Sequence, residues 1–581
     1  MGSRLQAKVH ALFADGGRAR HADKFAVIDQ IIADEKIPLS MGIAGISRAA
    51  DQAARECFSL CIKFKTILAI KMQILILCQR YGVDFPIGAT DAEQVKRALC
   101  KAWWKRVLSV EHKRRVEHAH IQIGLTGRGG DEYLSRESAL TQKRQNTANR
   151  KLLESVTVTN GVDKFLLSEL SDLSTANKTI RRGELMARIR GFEEVALELN
   201  HVAMFWTITC PSSYHSVGGT NKKYNGKTPR QAQAYLCKIW SRMRAEFKRQ
   251  EITPYGFRVA EPHTDGCPHW HMLFFVDPKH SAEMEKVISQ YAMAEDGSEK
   301  GAAENRVKLV HIETHNGMSA AGYIVKYISK NIDGSGVGDH KAFEDGQTYI
   351  VKTDGQGRDE ITPSQRVTYW SQVWGIRQFQ QIGGAPVTVW RELRRVPAEV
   401  MDGAPAELAA AWAAVQKTAQ TTLIDCDKTE GGKREVTQAS FADYLRAQGG
   451  AQVGRAYKVR ISAENVVVVG KYATYEASKP VGVYAVSASD EIYKSKRYVW
   501  ERVGVAVAGA FDLPRTGVNN CTNTEKTVGD FAAWVQEKKA KNKNFSSFIS
   551  GEEVKKAMQR DRAWNSGRIY DKNGFLIMGG G

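Results

Sequence analysis

The chain has no Cys-x-x-Cys pair. Its nine cysteines, at positions 57, 61, 78, 100, 210, 237, 267, 426 and 521, form an odd, scattered set, which argues against a disulfide framework or a zinc ribbon and for a reduced, cytosolic setting. Cys57 and Cys61 stand four apart in a helical pattern and read as packing residues. A membrane-length apolar run is also missing. The most apolar stretch, Thr66 to Cys78, has Lys63, Lys65 and Lys71 in or beside it and reads as a buried helix, and no secretory signal precedes it. Gln6 stands where N-myristoylation needs Ser or Thr. There is no internal repeat. Gly226-Lys-Thr228 ends like a P-loop, but Asn221 occupies the position of the required earlier glycine and no buried strand precedes it, so no ATPase motor is expected. Acidic residues are in short supply, 64 against 83 Lys and Arg, leaving +19 and a pI near 9.4. That balance suits a polyanionic partner, either nucleic acid or an anionic membrane surface.

At 581 residues the chain should hold about three to four structural units. Residues 1–130 read as a helical N-terminal region, with the basic aromatic run Lys101-Ala-Trp-Trp-Lys-Arg106 open to two readings, phosphate contact or a solvated helix face with one Trp buried. Residues 131–200 read as a basic helical connector. From His201 the pattern turns to alternation. Phe205 to Thr209 reads as a central strand, and Thr228-Pro229 caps a helix running to about Arg249. Tyr255 to Glu261 and Pro268 to Val276 read as a β-hairpin, 281–296 as a helix, and Arg306 to Glu313 as a strand. The order predicts an α+β domain over 201–396, a central antiparallel sheet flanked by helices. Its last part interleaves Trp370, Trp374, Arg377, Phe379, Trp390, Arg391, Arg394 and Arg395, a mixture that suits single-stranded bases and backbone. A smaller mixed α/β region, 397–518, and a polar Lys-rich tail, 519–581, expected to be mobile, complete the chain.

Two patterns carry chemistry. In Pro268-His-Trp-His-Met-Leu-Phe-Phe-Val276, alternation puts His269 and His271 on one face of a strand, able to share a metal ion, with Trp270 on the other. A third donor would come from the preceding strand. A loop centred on Asp265 pairs Glu261 with His269 and brings Glu261 to the metal face, whereas a two-residue Asp265-Gly266 turn would point it away. The first arrangement is expected, and His263 is the alternative third ligand. Two imidazoles and a carboxylate with open positions suit Mn²⁺ or Mg²⁺, although ligand type alone does not separate these from zinc. Alternating histidines also occur in nucleotide hydrolases of the histidine-triad type, but position 273 is Leu, so no third one follows. The second pattern is Gly322-Tyr-Ile-Val-Lys-Tyr-Ile-Ser-Lys-Asn331. At about 100° per residue, Tyr323, Tyr327, Lys326 and Lys330 fall within an arc about 100° wide, while Ala321, Ile324, Val325 and Ile328 would face a sheet.

His-hydrophobe-His followed by Tyr-x-x-x-Tyr resembles the bacteriophage replication gene A protein family, two-tyrosine HUH rolling-circle initiators of tailed temperate phages and prophages. Similar stretches include Phe205-Trp-Thr-Ile-Thr-Cys-Pro211, Tyr255-Gly-Phe-Arg-Val-Ala-Glu-Pro262 and Trp374-Gly-Ile-Arg-Gln-Phe-Gln-Gln-Ile-Gly-Gly384. The likeness runs from about residue 130 to about 400. It implies an HUH endonuclease fold and metal-dependent nicking and joining of one strand at a replication origin. Tyr323 and Tyr327 would be the nucleophiles, Lys326 and Lys330 their electrostatic support, and His269, His271 and Glu261 the Mg²⁺ or Mn²⁺ ligands. Arg258, Arg377, Arg391 and Trp374 are the candidate DNA contacts. Single-stranded origin DNA would be the partner, together with a host helicase and replisome in the bacterial cytoplasm that unwind the duplex, the chain itself engaging neither ATP nor a membrane. A mobilisation relaxase or transposase, or a single-stranded DNA binder without catalysis, are the alternative readings.

Overall fold

A computed structural model describes residues 38–312, 320, 322, 324, 340–344, 347–351, 361–416, 439–472, 474–503, 569–570 and 576–578. Four helices open it, α1 (Ile43–Lys63), α2 (Ile67–Tyr81), α3 (Asp91–Ala98) and α4 (Lys101–Gln122). Thr66 and Thr90 cap α2 and α3 by accepting from the Ala69 and Glu93 amides. Their shared core includes Cys57, Cys61, Ile74, Trp103 and Trp104. Both tryptophans of the basic run are thus buried, and the Trp104 indole donates to the Ala98 carbonyl at 2.7 Å. The apolar stretch in α2 is buried along one side only. Ile70, Ile74, Leu77 and Cys78 face inward, whereas Leu68, Met72 and Ile76, spaced by four on the other side, are half or more exposed. The pattern predicts a buried helix; α2 packs against α1 and α3, and the face turned away from them is exposed. Among the described residues no helix is long and apolar enough to cross a membrane.

Helix α5 (Arg136–Glu154), the hairpin β1 (Thr157–Thr159) and β2 (Lys164–Leu166), and helices α6 (Leu167–Asp172) and α7 (Lys178–Glu198) lead into the central sheet. The elements then run β3 (Val202–Thr209), α8 (Pro229–Arg249), β4 (Tyr255–Pro262), β5 (Pro268–Val276), α9 (Pro278–Ala292) and β6 (Val307–Ile312). Strands β7 (His340–Glu344) and β8 (Gln347–Val351) form a separate ladder, followed by α10 (Pro363–Trp374), β9 (Phe379–Ile382) and α11 (Val387–Leu393). The sheet order is β6-β3-β5-β4-β9, with every neighbouring pair antiparallel. The fold is α+β, with helices on both faces. The edge strand β9 adds a fifth member to the four strands expected.

Side-chain alternation separates two cores. Met204, Trp206, Trp270, Met272 and Phe274 pack on one face against Leu236, Trp240, Met284, Trp370 and Trp374. Phe205, Phe257, Val259, Leu273 and Phe275 form the other face, against Ile189 and Phe192 of α7, Trp390 of α11, and Ala320 and Ile324. This second core continues into α12 (Ala406–Gln416), α13 (Phe441–Ala447) and the three-stranded sheet of β10 (Val459–Val469), β11 (Thr474–Ala485) and β12 (Ala488–Lys494). The C-terminal region therefore shares apolar packing with the central sheet. A short strand, β13 (Glu501–Val503), returns to pair with β1.

Candidate metal centre

Strand register decides which side chains meet. Glu261 pairs with His269, Val259 with His271, and Pro262 with Pro268, so the connection is a five-residue loop centred on Asp265. His263 donates its amide to the Cys267 carbonyl at 2.8 Å, and Gly266, at φ +80°, completes the turn. With this parity Glu261, His269 and His271 project from one face, the same face as Leu273 and Phe275. Their ligand atoms lie within 4.8 Å of one another. The two imidazole Nε2 atoms converge at 2.9 Å, and His271 Nε2 lies 3.9 Å from Glu261 Oε2.

This geometry fits a divalent cation on chemical grounds. Two Nε2 atoms so close either share one proton or direct both lone pairs at one positive centre. Glu261 is only 1 % exposed, and a carboxylate that deep in protein needs a compensating charge. On the far side of its ring, His271 Nδ1 is 3.0 Å from the Thr207 hydroxyl of β3, which fixes the ring with Nε2 inward, and the ring stacks on Phe205 at 5.7 Å. Thr207→Val should weaken Mn²⁺ binding about tenfold to a hundredfold, read by titration calorimetry or Mn²⁺ electron paramagnetic resonance. An unchanged affinity would mean that Thr207 does not hold the ring.

Around the three donors lies a second ring of polar groups. The His263 ring sits 4.1 Å from that of His269, and the His215 ring 5.0 Å from that of His263. Asp265 accepts from His215 Nδ1 at 3.2 Å and from the Cys267 amide at 3.0 Å. Burial alone would raise the Asp265 carboxyl; the hydrogen bond and charge of His215, the Cys267 amide and the charge of His263 outweigh it and hold the group at about 2. A carboxyl depressed on folding contributes stability that is fully present above its unfolded value, about 3.9, and is lost as pH falls through the folded one. Asp265→Asn is therefore expected to destabilise the protein by about 2 kcal/mol near neutrality. In thermal melts the difference should close as pH drops from about 4 towards about 2; a pH-independent gap would rule out the carboxylate charge as its cause.

The loop between α4 and α5 clasps this hairpin, a feature that the sequence did not announce. Tyr133, at φ +70°, donates its amide to the Thr264 carbonyl at 2.8 Å. Buried Glu117 holds the loop by accepting from Thr126 Oγ1 at 2.9 Å and the Ser135 amide at 3.0 Å. Fully buried Arg366 of α10 donates to the Leu134 carbonyl at 2.7 Å and lies 3.7 Å from Asp131. Gly127 approaches Gly218 so closely that a Cβ would lie 2.7 Å from the Gly218 nitrogen. The helical N-terminal region thus braces the metal hairpin, and the loop runs through residues 130 and 131 without a break.

The remaining sequence-predicted residues fall in three groups. Tyr323, Tyr327, Lys326 and Lys330 lie outside the described residues, although Ala320 and Ile324 are buried against the histidine-bearing face. Arg258 and Trp374 lie inside the protein, 2 % and 0 % exposed. Burial draws the Arg258 guanidinium down to about 10; it sits 4.1 Å over the Trp270 ring and donates to the Arg377 carbonyl at 3.0 Å. Both are packing residues on the face opposite the histidines, and neither side chain is available to a strand at the surface. Arg377 is exposed, and Arg391 is half-buried and makes a paired contact with Glu184 at 2.7 and 2.8 Å.

Residues 78–335 match the sequence profile of the bacteriophage replication gene A protein family. The chain is 36 % identical over 454 residues to the replication gene A protein of Escherichia phage 186, covering 75 % of this chain and 60 % of that protein. It is 33 % identical over 471 residues to the replication gene A protein of Escherichia phage P2, covering 76 % and 57 %. A protein of Pseudoalteromonas phage PM2 described as a probable replication protein is 40 % identical over 310 residues, covering 53 % and 47 %. The chain spans about half the length of these curated relatives. No solved structure matches it.

Proposed function

Because the chain belongs, through residues 78–335, to the bacteriophage replication gene A protein family, we propose that it is a site-specific single-strand DNA endonuclease and strand transferase. It nicks a replication origin and so initiates, and later terminates, rolling-circle replication of phage DNA. The observation that carries this reading is the convergence of His269, His271 and Glu261 at the loop end of the sheet. A bound Mn²⁺ or Mg²⁺ would offset negative charge on the scissile phosphate, and the imidazole pair favours Mn²⁺ of the two.

The chain's own residues supply the rest. The phenol oxygen of Tyr323 or Tyr327 attacks phosphorus and loses its proton, the bond to the preceding 3′ oxygen breaks, and a 5′-phosphotyrosyl linkage and a free 3′-hydroxyl result. A phenol with a pKa of about 10 is a weak nucleophile near neutrality, so Lys326 and Lys330 stabilise the charge that develops on oxygen. The new linkage retains the phosphodiester energy, and attack by the 3′-hydroxyl reverses it without ATP. Two tyrosines allow one to hold the first end while the other cuts after a round of synthesis. Unwinding falls to a host helicase and replisome in the bacterial cytoplasm.

The test is a denaturing gel of the protein mixed with single-stranded oligonucleotides tiling its own replicon, with Mn²⁺ or chelator, and mass spectrometry of any shifted band. A metal-dependent adduct on Tyr323 or Tyr327 is expected. A folded, DNA-binding protein that forms no adduct on any tile would refute the reading.

A further inference from the structure

Four arginines, two on α7, one just before β9 and one on α11, meet beside the metal hairpin with one carboxylate among them. Arg188 of α7 and Arg391 of α11 both engage Glu184 Oε1, at 3.1 and 2.7 Å. Arg188 also donates to Gln381 of β9 at 3.2 Å and lies 5.4 Å over the Phe257 ring. Arg181, about two turns earlier on α7, sits 5.2 Å over the Phe379 ring, and Arg377 donates its Nε to the Phe379 carbonyl at 3.1 Å. Among the described residues no ion pair involves Arg181 or Arg377, and both are exposed. Four guanidiniums against Glu184 leave three positive charges. Such a cluster repels itself, and the cost grows as its members leave water. The titration of Arg188 reflects this: burial, opposed by Glu184 and reinforced by Arg391, Arg377 and Arg181, lowers it to about 10. Arg181, whose side chain is exposed but lies partly against Phe379, is lowered by that partial loss of water and by Arg377.

The cluster's place in the sheet suggests what it is built to receive. Phe379 pairs with Val259, and Glu261 lies two residues further along β4 on the same face. With about 3.3 Å per residue along a strand and about 4.8 Å between strands, the backbone at Phe379 is about 8 Å from that of Glu261. We infer that Arg181, Arg188, Arg377 and Arg391 form a phosphate cradle that holds the backbone of the single strand next to the bond cut at the metal hairpin. Planar guanidiniums present paired donors to phosphate oxygens, and the phosphates relieve the repulsion that the folded protein otherwise carries. Arg188 and Arg391, locked by Glu184, form the floor. Arg181 and Arg377, without carboxylate partners, are the ones that reach for the strand.

The cradle rests on the strand-cleavage reading for the origin of its ligand, and binding can be measured apart from cleavage. The probe is a fluorescent oligothymidylate, titrated by anisotropy at several salt concentrations without divalent metal. Arg181→Ala with Arg377→Ala removes the two exposed members. The affinity should fall about tenfold or more, and the slope of log K against log salt should become shallower by about 1.4, about 0.7 for each phosphate that is no longer neutralised. Lys279→Ala with Lys286→Ala on α9, exposed and on the opposite face, removes the same charge and should leave the slope within error. Arg181→Lys with Arg377→Lys should keep the slope while losing part of the affinity. An unchanged slope in the Ala pair would overturn the cradle even if the protein forms its tyrosyl adduct. So would loss of inorganic phosphate binding in that pair with oligonucleotide binding intact, which would make the cluster a site for free phosphate. A protein that forms no adduct but loses oligonucleotide slope in the Ala pair would overturn cleavage and keep the cradle.

Discussion

Replacing Tyr323 and Tyr327 together by Phe is expected to abolish the covalent adduct and to lower strand cleavage by on the order of 10⁴-fold or more, because removal of a catalytic nucleophile leaves only binding and electrostatic contributions. Only two hydroxyl oxygens are removed, and both rings remain. Oligonucleotide affinity should therefore stay within about twofold, since backbone contacts made by cations, and not the phenols, dominate it. The single variants should differ from the pair: each retains one phenol and can still form one adduct, but neither can complete the second transfer that ends a round. Electrophoresis under denaturing conditions separates these outcomes. If the double variant cut at the wild-type rate, the nucleophile would be water or another side chain, and strand transfer without ATP would lose its basis.

The central site was legible because it depends on short-range parity. A strand has a side-chain period of two, so His269 and His271 had to share a face, and the only open question was the length of the turn. Asp265 at the loop centre, with its carboxylate capping the Cys267 amide, produced the five-residue connection that brings Glu261 to the same side. His263, the alternative ligand, lies two positions nearer the turn than Glu261, with its ring tilted against that of His269. What stayed hidden depends on long-range packing. Strand β9 has four residues, two of them glutamines, and pairs with β4 across more than a hundred positions, so no local alternation marks it. The Tyr133 clasp and the Glu117 anchor join segments whose apolar periodicity says nothing about each other. Arginine and aromatic composition nominated Arg377 and Arg391, which reach the surface, together with Arg258 and Trp374, which do not. Alternation on β4 turns Arg258 onto Trp270, and helix α10 buries Trp374 in the same core. Composition counts charges; only the fold says which of them reach solvent.

His271→Ala tests the metal centre most sharply. His271 supplies one of three donors and is itself held by Thr207 and stacked on Phe205, so its loss removes a ligand and leaves Glu261 buried beside His269 alone. Loss of one of three donors should weaken Mn²⁺ by well over the hundredfold ceiling usual for outer partners such as Thr207. Metal-dependent nicking should fall below detection, at least about 10³-fold. The DNA-binding slope should not move, because the arginine cluster draws on α7, α11 and the β9 edge and none of its contacts passes through His271. Truncating a buried ring that is hydrogen-bonded to Thr207 and stacked on Phe205 should also lower the melting temperature without metal, so the metal effect is read as the difference between melts with and without Mn²⁺. With Mn²⁺ present, the wild type should gain stability by mass action and the variant should not. Equal loss of nicking and of salt-sensitive binding would mean that the metal centre and the strand-holding surface form one cooperative unit, and the division between affinity at the arginines and chemistry at the hairpin would fail.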